Sequence, residues 1–313
     1  MKGMFLLIIL AVAVVFLAAC QQQTTTAGPS FVGGVQGISM EFIPSAPPDQ
    51  IFDGGKYPFS INLKMKNVGE WEITSGSQIK ASISGIDPTD FGVSAAALSK
   101  NPPLGMLSTR RGPNGEVLEG GTIVVDFPGL NYKRTLFGDI PTTFKADLCY
   151  QYGTKVLSSL CVKKDLASTD ISVCTVNEEK AVANSGAPVQ VTSVREAQGG
   201  TQAVLLTFTL KHVGDGKSFE KGSGCQDIFE KRDKVYLKID TGMTGLTCTE
   251  LQTSAGQPAS GSEGYLVMYG GERQISCTQP TGGQGDFVKT ISATVEYDYD
   301  QFITKEVTVK HIG

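Results

Sequence analysis

Apolar and polar residues alternate with a period of two along most of the chain. The run FSINLKMKN, from Phe59 to Asn67, shows the pattern plainly, and so does VLLTFTLKH, from Val204 to His212. Alternation of this kind puts the apolar side chains of an extended segment on one face, as in a half-buried β-strand. With Gly or Pro taken as boundaries, it predicts strands over 35–43, 57–67, 77–84, 122–126, 142–152 and 154–162. A second group follows over 189–194, 202–212, 234–240, 264–268, 272–277, 287–299 and 302–310. Only 93–100, with three consecutive alanines, predicts a short helical turn. The expected fold class is therefore all-β, built from antiparallel strands.

The two groups of strands are copies. Gly54-Gly55 and the run ending Asn67-Val68-Gly69 align with Gly199-Gly200 and His212-Val213-Gly214 at a constant shift of 145 positions. Further on, Leu148 to Lys163 aligns without a gap with Val295 to Lys310 at a shift of 147. Two matches at nearly one shift indicate duplication. The units run over 31–164 and 172–313, joined by a linker at 165–171, and six or seven strands in each predict a sandwich. Tight turns at Gly153-Thr154 and Asp300-Gln301 are expected to fold the last two strands of each unit into a hairpin.

The strands ending LKMKNVG (Leu63 to Gly69) and FTLKHVG (Phe208 to Gly214) resemble the immunoglobulin-like modules of the CARDB type, found in bacterial and archaeal surface proteins. The resemblance implies two tandem seven-stranded immunoglobulin-like sandwiches and a surface or adhesive setting. Asn at a strand end bonds its own backbone and tolerates the left-handed geometry before Gly. His212 in its place predicts a different turn in the second unit.

At the N-terminus, Lys2 precedes an apolar run over 4–19 that stops at Cys20, before the polar tract 21–26. This is the form of a secretory signal, and the run is shorter than the roughly 20 residues of a comfortable membrane span. Leu17-Ala18-Ala19-Cys20 resembles the lipobox of prokaryotic lipoproteins, which implies removal of 1–19, lipid attachment at Cys20 and a flexible tether over 20–30. Two acyl chains suffice for stable anchoring. Two other readings retain the run: an uncleaved anchor, or a prepilin-type segment cut after Gly3. The pilin reading lacks its acidic residue, because Ile8 stands at that place. All three place the bulk of the chain outside the cytoplasm, with the membrane as one partner.

Composition then narrows the chemistry. The net charge of −4 gives no basic reserve for phosphates and argues against nucleic acid as a partner. Gly accounts for 37 of 313 residues, which suits many tight turns. The two histidines, His212 and His311, stand apart from any Cys-x-x-Cys pair, so neither zinc hydrolysis nor a Ser-His-Asp triad is provided for. His212 reads as a turn residue and His311 as part of a frayed end. Asp298 and Asp300 read as a polar turn rather than a calcium loop, which needs six to eight oxygens. Gly112 to Gly115 and Gly282 to Gly285 read as hairpin loops. No catalytic residue, metal or cofactor is expected.

Seven cysteines less Cys20 leave six, which in an exported chain predicts three disulfides. Cys149 and Cys161 lie on the expected hairpin, and their counterparts Glu296 and Thr308 are both non-Cys, so a Cys149–Cys161 bridge is expected. Nearest-neighbour pairing then gives Cys174–Cys225 and Cys248–Cys277, with Cys174 to Cys277 or to Cys248 left open. Tyr150, Tyr152, Tyr297 and Tyr299 form i, i+2 pairs that serve either as a contact platform or as cover for the core edge. Trp71 is either a buried plug or a contact residue. The stretch Glu230-Lys231-Arg232-Asp233 has no equivalent in the first unit and reads as a solvated charged turn, at a place where binding loops reside. The expectation is a non-enzymatic cell-surface lipoprotein with a structural or adhesive role toward a protein or glycan. The alternative is an accessory or binding subunit of an envelope transport or secretion complex.

Overall fold

The alternating segments do become strands, arranged in sheets whose buried faces merge into one continuous core. The computed structural model describes residues 30–312, so the expected signal, Cys20 and nearly all of the tether lie outside the described residues. A three-stranded sheet holds Ile38–Phe42, Phe59–Asn67 and Thr122–Leu130 of the first repeat. A five-stranded sheet holds Glu178–Lys180, Val189–Gln198, Ala203–His212, Glu272–Pro280 and Thr247–Cys248 of the second. Both face a nine-stranded sheet shared by the two repeats. The expected helical turn is a short 3-10 turn at Ala95–Leu98, opened by the Ser94 hydroxyl accepting from the Ala97 amide. The fold is an all-β sandwich.

The centre of the shared sheet corrects the expected hairpins. Gly153-Thr154 and Asp300-Gln301 are not turns: Ile140–Val162 is one strand of 23 residues and Phe287–Lys310 one of 24. They pair antiparallel along their whole length, with Tyr150 opposite Tyr299 and Tyr152 opposite Tyr297. Gln151 and Asp298, equivalent positions of the two repeats, face each other, and a pseudo-two-fold axis passes between them. The first half of each long strand pairs with its own repeat, at Ile79–Ser84 and Lys234–Asp240. The second half completes the other repeat. Val156 and Leu157 pair with Asn184 and Ala183, while Thr308 to Lys310 run parallel to Gln50–Phe52. The duplicated modules exchange their last strands within one chain.

This geometry also corrects the disulfides. Cys149 and Cys161, twelve positions apart on one extended strand, are about 40 Å apart at a rise of roughly 3.3 Å per residue. A bridge requires Cα atoms within about 7 Å. Instead Cys149 joins Cys225, linking the repeats, and Cys161 joins Cys174. Cys174–Cys225 is therefore absent, and Cys248–Cys277 forms as expected between paired strands. Three closed disulfides belong to an oxidising, extracytoplasmic compartment.

Two further expectations change. His311 is not on a frayed end. Its Nδ1 lies 2.7 Å from the carboxylate of buried Asp53, and the Ile312 amide donates to the same group. The His311 hydrogen bond and the Leu136 and Ile312 amides hold the Asp53 carboxyl down at about 2. Gly112 to Gly115 does close a small hairpin between Arg110–Arg111 and Val117–Leu118. Gly282 to Gly285, by contrast, connects Glu272–Pro280 in one sheet to Phe287–Lys310 in another, so it is a crossover loop.

Beside Cys161, Glu196 is wholly buried. One of its oxygens accepts from the Cys161 amide and faces Lys180 Nζ at 3.2 Å, while the other has no partner. Burial raises this carboxyl from 4.5 to about 7, against the pull of the amide and Lys180. A raised folded-state pKa means that the folded chain holds a proton that the unfolded chain has released. This contribution is therefore fully present below pH 4.5 and is lost as pH rises toward 7. The urea midpoint of the native protein is expected to fall between pH 5 and 7, and that of Glu196→Gln to fall less. Parallel curves for the two proteins would contradict this assignment.

Candidate binding site

The segment after Ala203–His212 first joins the shared sheet as a short strand and then folds over Asp298. Lys217–Phe219 pairs with Asp298 to Asp300 of the second long strand. The amides of Gly222 and Gly224 then donate to the Asp298 carboxylate at 2.9 and 2.6 Å, with the Ser223 hydroxyl at 3.4 Å. Gly222 and Gly224 have φ of 76° and 64°, the left-handed geometry that turns their amides inward. Burial pushes the Asp298 carboxyl up against these donors. Asp298 is thus a buried clamp in mid-strand, not a turn residue. Asp300 is likewise in mid-strand, and burial, with Asp147 nearby, raises it to about 6. Asp298 lies beside Cys149 and Cys225, but the two sulfurs are spent on each other and offer no metal ligand.

Beyond the Cys149–Cys225 bridge the chain makes a single 3-10 turn, Phe229–Lys231, and enters Lys234–Asp240 through Asp233, which is left-handed at φ 51°. This turn meets the loops around Ser254 to Gly256 and Met268 to Gly270. Together they enclose a cavity of about 610 Å³. Its wall carries Phe229, 83% exposed, and Tyr269, 65% exposed, and buried Met268 also lines it. Lys234, nearly buried, donates to Glu220 at 3.2 Å and to the Ser254 carbonyl at 2.8 Å, with its Nζ 4.9 Å from the centre of the Tyr265 ring. Arg232 is held by the Asp227 carboxylate and carbonyl. Arg273 lies 5.3 Å from the centre of the Tyr269 ring. Loops braced in this way form a preformed pocket of ordinary ligand-binding size.

Of the two readings of the four tyrosines, the structure takes the core one. Tyr150, Tyr152, Tyr297 and Tyr299 are between 0 and 2% exposed. Their rings meet edge to face at the pseudo-two-fold axis, with Tyr150 and Tyr299 5.7 Å apart across the repeats. Even-numbered residues of the first long strand and odd-numbered residues of the second point into the core, which is why all four lie inside. Each hydroxyl is satisfied by the same scheme in both repeats. Tyr150 and Tyr297 accept from the amides of Ile38 and Val189, and Tyr152 and Tyr299 from those of Trp71 and Gly216. Tyr152 also donates to Asn67, and Tyr299 meets His212 Nε2 at 3.1 Å.

The Asn/His-Val-Gly signature has its physical explanation here. The polar residue partners the buried hydroxyl, and the glycine leaves it room. A Cβ on Gly69 would lie 2.2 Å from the Tyr152 oxygen, and one on Gly214 2.4 Å from that of Tyr299. His212 therefore takes over the role of Asn67 as hydroxyl partner, and burial lowers its pKa. Trp71 is half-buried. Its ring lies over Gly153, where a Cβ would come within 2.7 Å of the indole.

Sequence reasoning found the 230–233 stretch only as an insertion. The loops that complete the cavity, around Ser254 to Gly256 and Met268 to Gly270, carried no signal in the sequence reading. No family model matches the chain, and no curated protein matches it either. Among solved structures, envelope protein VP37 from White Spot Syndrome Virus is 12% identical, with a TM-score of 0.18 over 47% of this chain and 97% of that chain. The collagen binding domain of the Erysipelothrix rhusiopathiae surface protein RspB is 9% identical, with a TM-score of 0.12 over 88% and 90%. The Enterococcus faecalis MSCRAMM ACE is 7% identical, also with a TM-score of 0.12, over 90% and 98%. Scores this low carry no argument about function, which rests on the geometry of the chain itself.

Proposed function

We propose that this chain is a non-catalytic binding protein of the cell surface, held to the membrane through a lipid on Cys20, that presents the second-repeat cavity to a protein or glycan partner. The observation that carries this reading is the cavity itself, walled by exposed Phe229 and Tyr269. Exposed aromatics at a preformed pocket are the usual anchors of recognition. The histidines support binding over catalysis, since His212 is engaged with Tyr299 and His311 with Asp53, and neither lines the cavity. The fused sandwich supplies a rigid base for the display.

Intact mass of membrane-extracted protein tests the anchor: loss of 1–19 with a diacylglyceryl group on Cys20 supports it, and retention of the apolar run refutes it. A photo-crosslinker placed at Phe229 of the full-length protein in cells is expected to trap a discrete partner that the same crosslinker at Lys64 does not. Affinity for that partner should fall by more than about thirtyfold in F229A/Y269A, as for an anchor residue, with the unfolding midpoint unchanged. No adduct above the Lys64 control would refute the cavity as the site. An adduct with a transport or secretion component would assign the accessory role.

A further inference from the structure

We propose that the cavity receives a basic side chain, a lysine or arginine presented by a protein partner; this rests on the reading of the cavity as a binding site. The argument is one of charge. Two cations and two carboxylates line the cavity: Arg232, Lys234, Glu230 and Asp233. Both cations are neutralised from outside it, Arg232 by Asp227 and Lys234 by Glu220. Neither Asp227 nor Glu220 is a lining residue. Glu230 and Asp233 have no ion-pair partner among the described residues, so the uncompensated charge facing a ligand is negative.

The aromatic walls select the same chemistry. Phe229 and Tyr269 offer exposed ring surface, which attracts an ammonium or guanidinium group through the ring quadrupole. Rings in this part of the molecule already hold cations, Arg273 on Tyr269 and Lys234 on Tyr265. Val267 gives the methylene stem of a long basic side chain apolar surface to cover. A carboxylate ligand would instead meet Glu230 and Asp233 with no free cation to offset them. The turn that carries these residues is pinned to the shared sheet by Cys149–Cys225 and the Asp298 clamp, so the site is organised before the partner arrives.

The test uses the full-length protein and four probes: blocked Gly-Lys-Gly, Gly-norleucine-Gly and Gly-Glu-Gly peptides, and chitotriose. Binding is read by saturation-transfer NMR with titration. The lysine peptide is expected to bind about five- to tenfold tighter than its norleucine isostere, the range of a cation over an aromatic face, and the glutamate peptide not at all. In E230Q/D233N the advantage of lysine over norleucine should shrink while norleucine binding persists. Asn tolerates the left-handed conformation at 233, so this variant retains the turn. Equal binding of lysine and norleucine, or a lysine preference undiminished in E230Q/D233N, overturns the proposal and leaves the binding site standing. Chitotriose binding that requires Phe229 and Tyr269, without lysine binding, overturns it in favour of a glycan. If F229A/Y269A weakens none of the four probes, the binding-site reading falls as well.

Discussion

Residues 31–164 expressed alone should be unfolded or dimeric, and never a folded monomer. In the intact chain the first repeat is completed by the end of the second long strand. Asp300 to Val309 pair with Cys149 to Ile140, and Thr308 to Lys310 pair with Gln50–Phe52. Without that strand, Ile51 and Phe144 lose neighbours that keep them almost wholly buried, and the long strand exposes a bare edge. Its own last segment is no substitute. Residues 154–162 extend away from the first repeat, where Val156, Leu160 and Val162 are buried. One folded outcome remains. Because the axis passes beside Gln151, two copies of the first long strand can pair with Gln151 facing Gln151, which keeps Tyr150 opposite Tyr152 and the apolar phase intact. Such a contact is isologous and closes. Light scattering and far-UV circular dichroism on the C149S/C161S fragment provide the check, since both cysteines have lost their partners. A strand-rich species at the mass of one fragment would refute the exchange.

Much of this exchange was legible, and it was misread at one point. The duplication, the alternation and the class of fold follow from residue pattern alone, because period-two alternation forces one face inward. The error lay at Gly153-Thr154 and Asp300-Gln301, where turn-forming residues were taken to reverse the chain. The contrary signal was present: Phe144, Leu148, Tyr150, Tyr152 and Val156 keep one parity straight through Gly153, as Val295, Tyr297, Tyr299, Ile303 and Val307 do through Asp300. Gly153 is needed because Trp71 occupies the place of a side chain, not because the backbone turns. That misreading carried the disulfides with it. Cys149 and Cys161 are neighbours only across a hairpin, and once the strand is straight each must find a partner from the second half of the chain. The cavity was the least legible feature, since Phe229, Ser254 and Tyr269 meet through tertiary packing that leaves no local periodicity.

Removing the longer of the two bridges between the repeats, as C149S/C225S, should cost about 4 kcal/mol, against about 3 kcal/mol for C161S/C174S. The ranking follows from the lengths of chain each bridge closes, with separations of 76 and 13 residues, since a longer closed loop removes more freedom from the unfolded chain. The long bridge also acts locally. Below it the Gly222 and Gly224 amides wrap Asp298, whose carboxyl burial has pushed up. A raised pKa means that ionisation of Asp298 opposes closure of the segment, which the covalent bond to Cys149 holds down. Two measurements separate these effects. Urea unfolding at pH 7 should give the larger loss for C149S/C225S, still as one transition because the long strands tie the repeats together. Hydrogen exchange at the Gly222 and Gly224 amides should accelerate in C149S/C225S and remain native in C161S/C174S. If exchange there is unchanged, the Asp298 clamp alone fixes the segment, and the cavity built on it should survive reduction of the bridge.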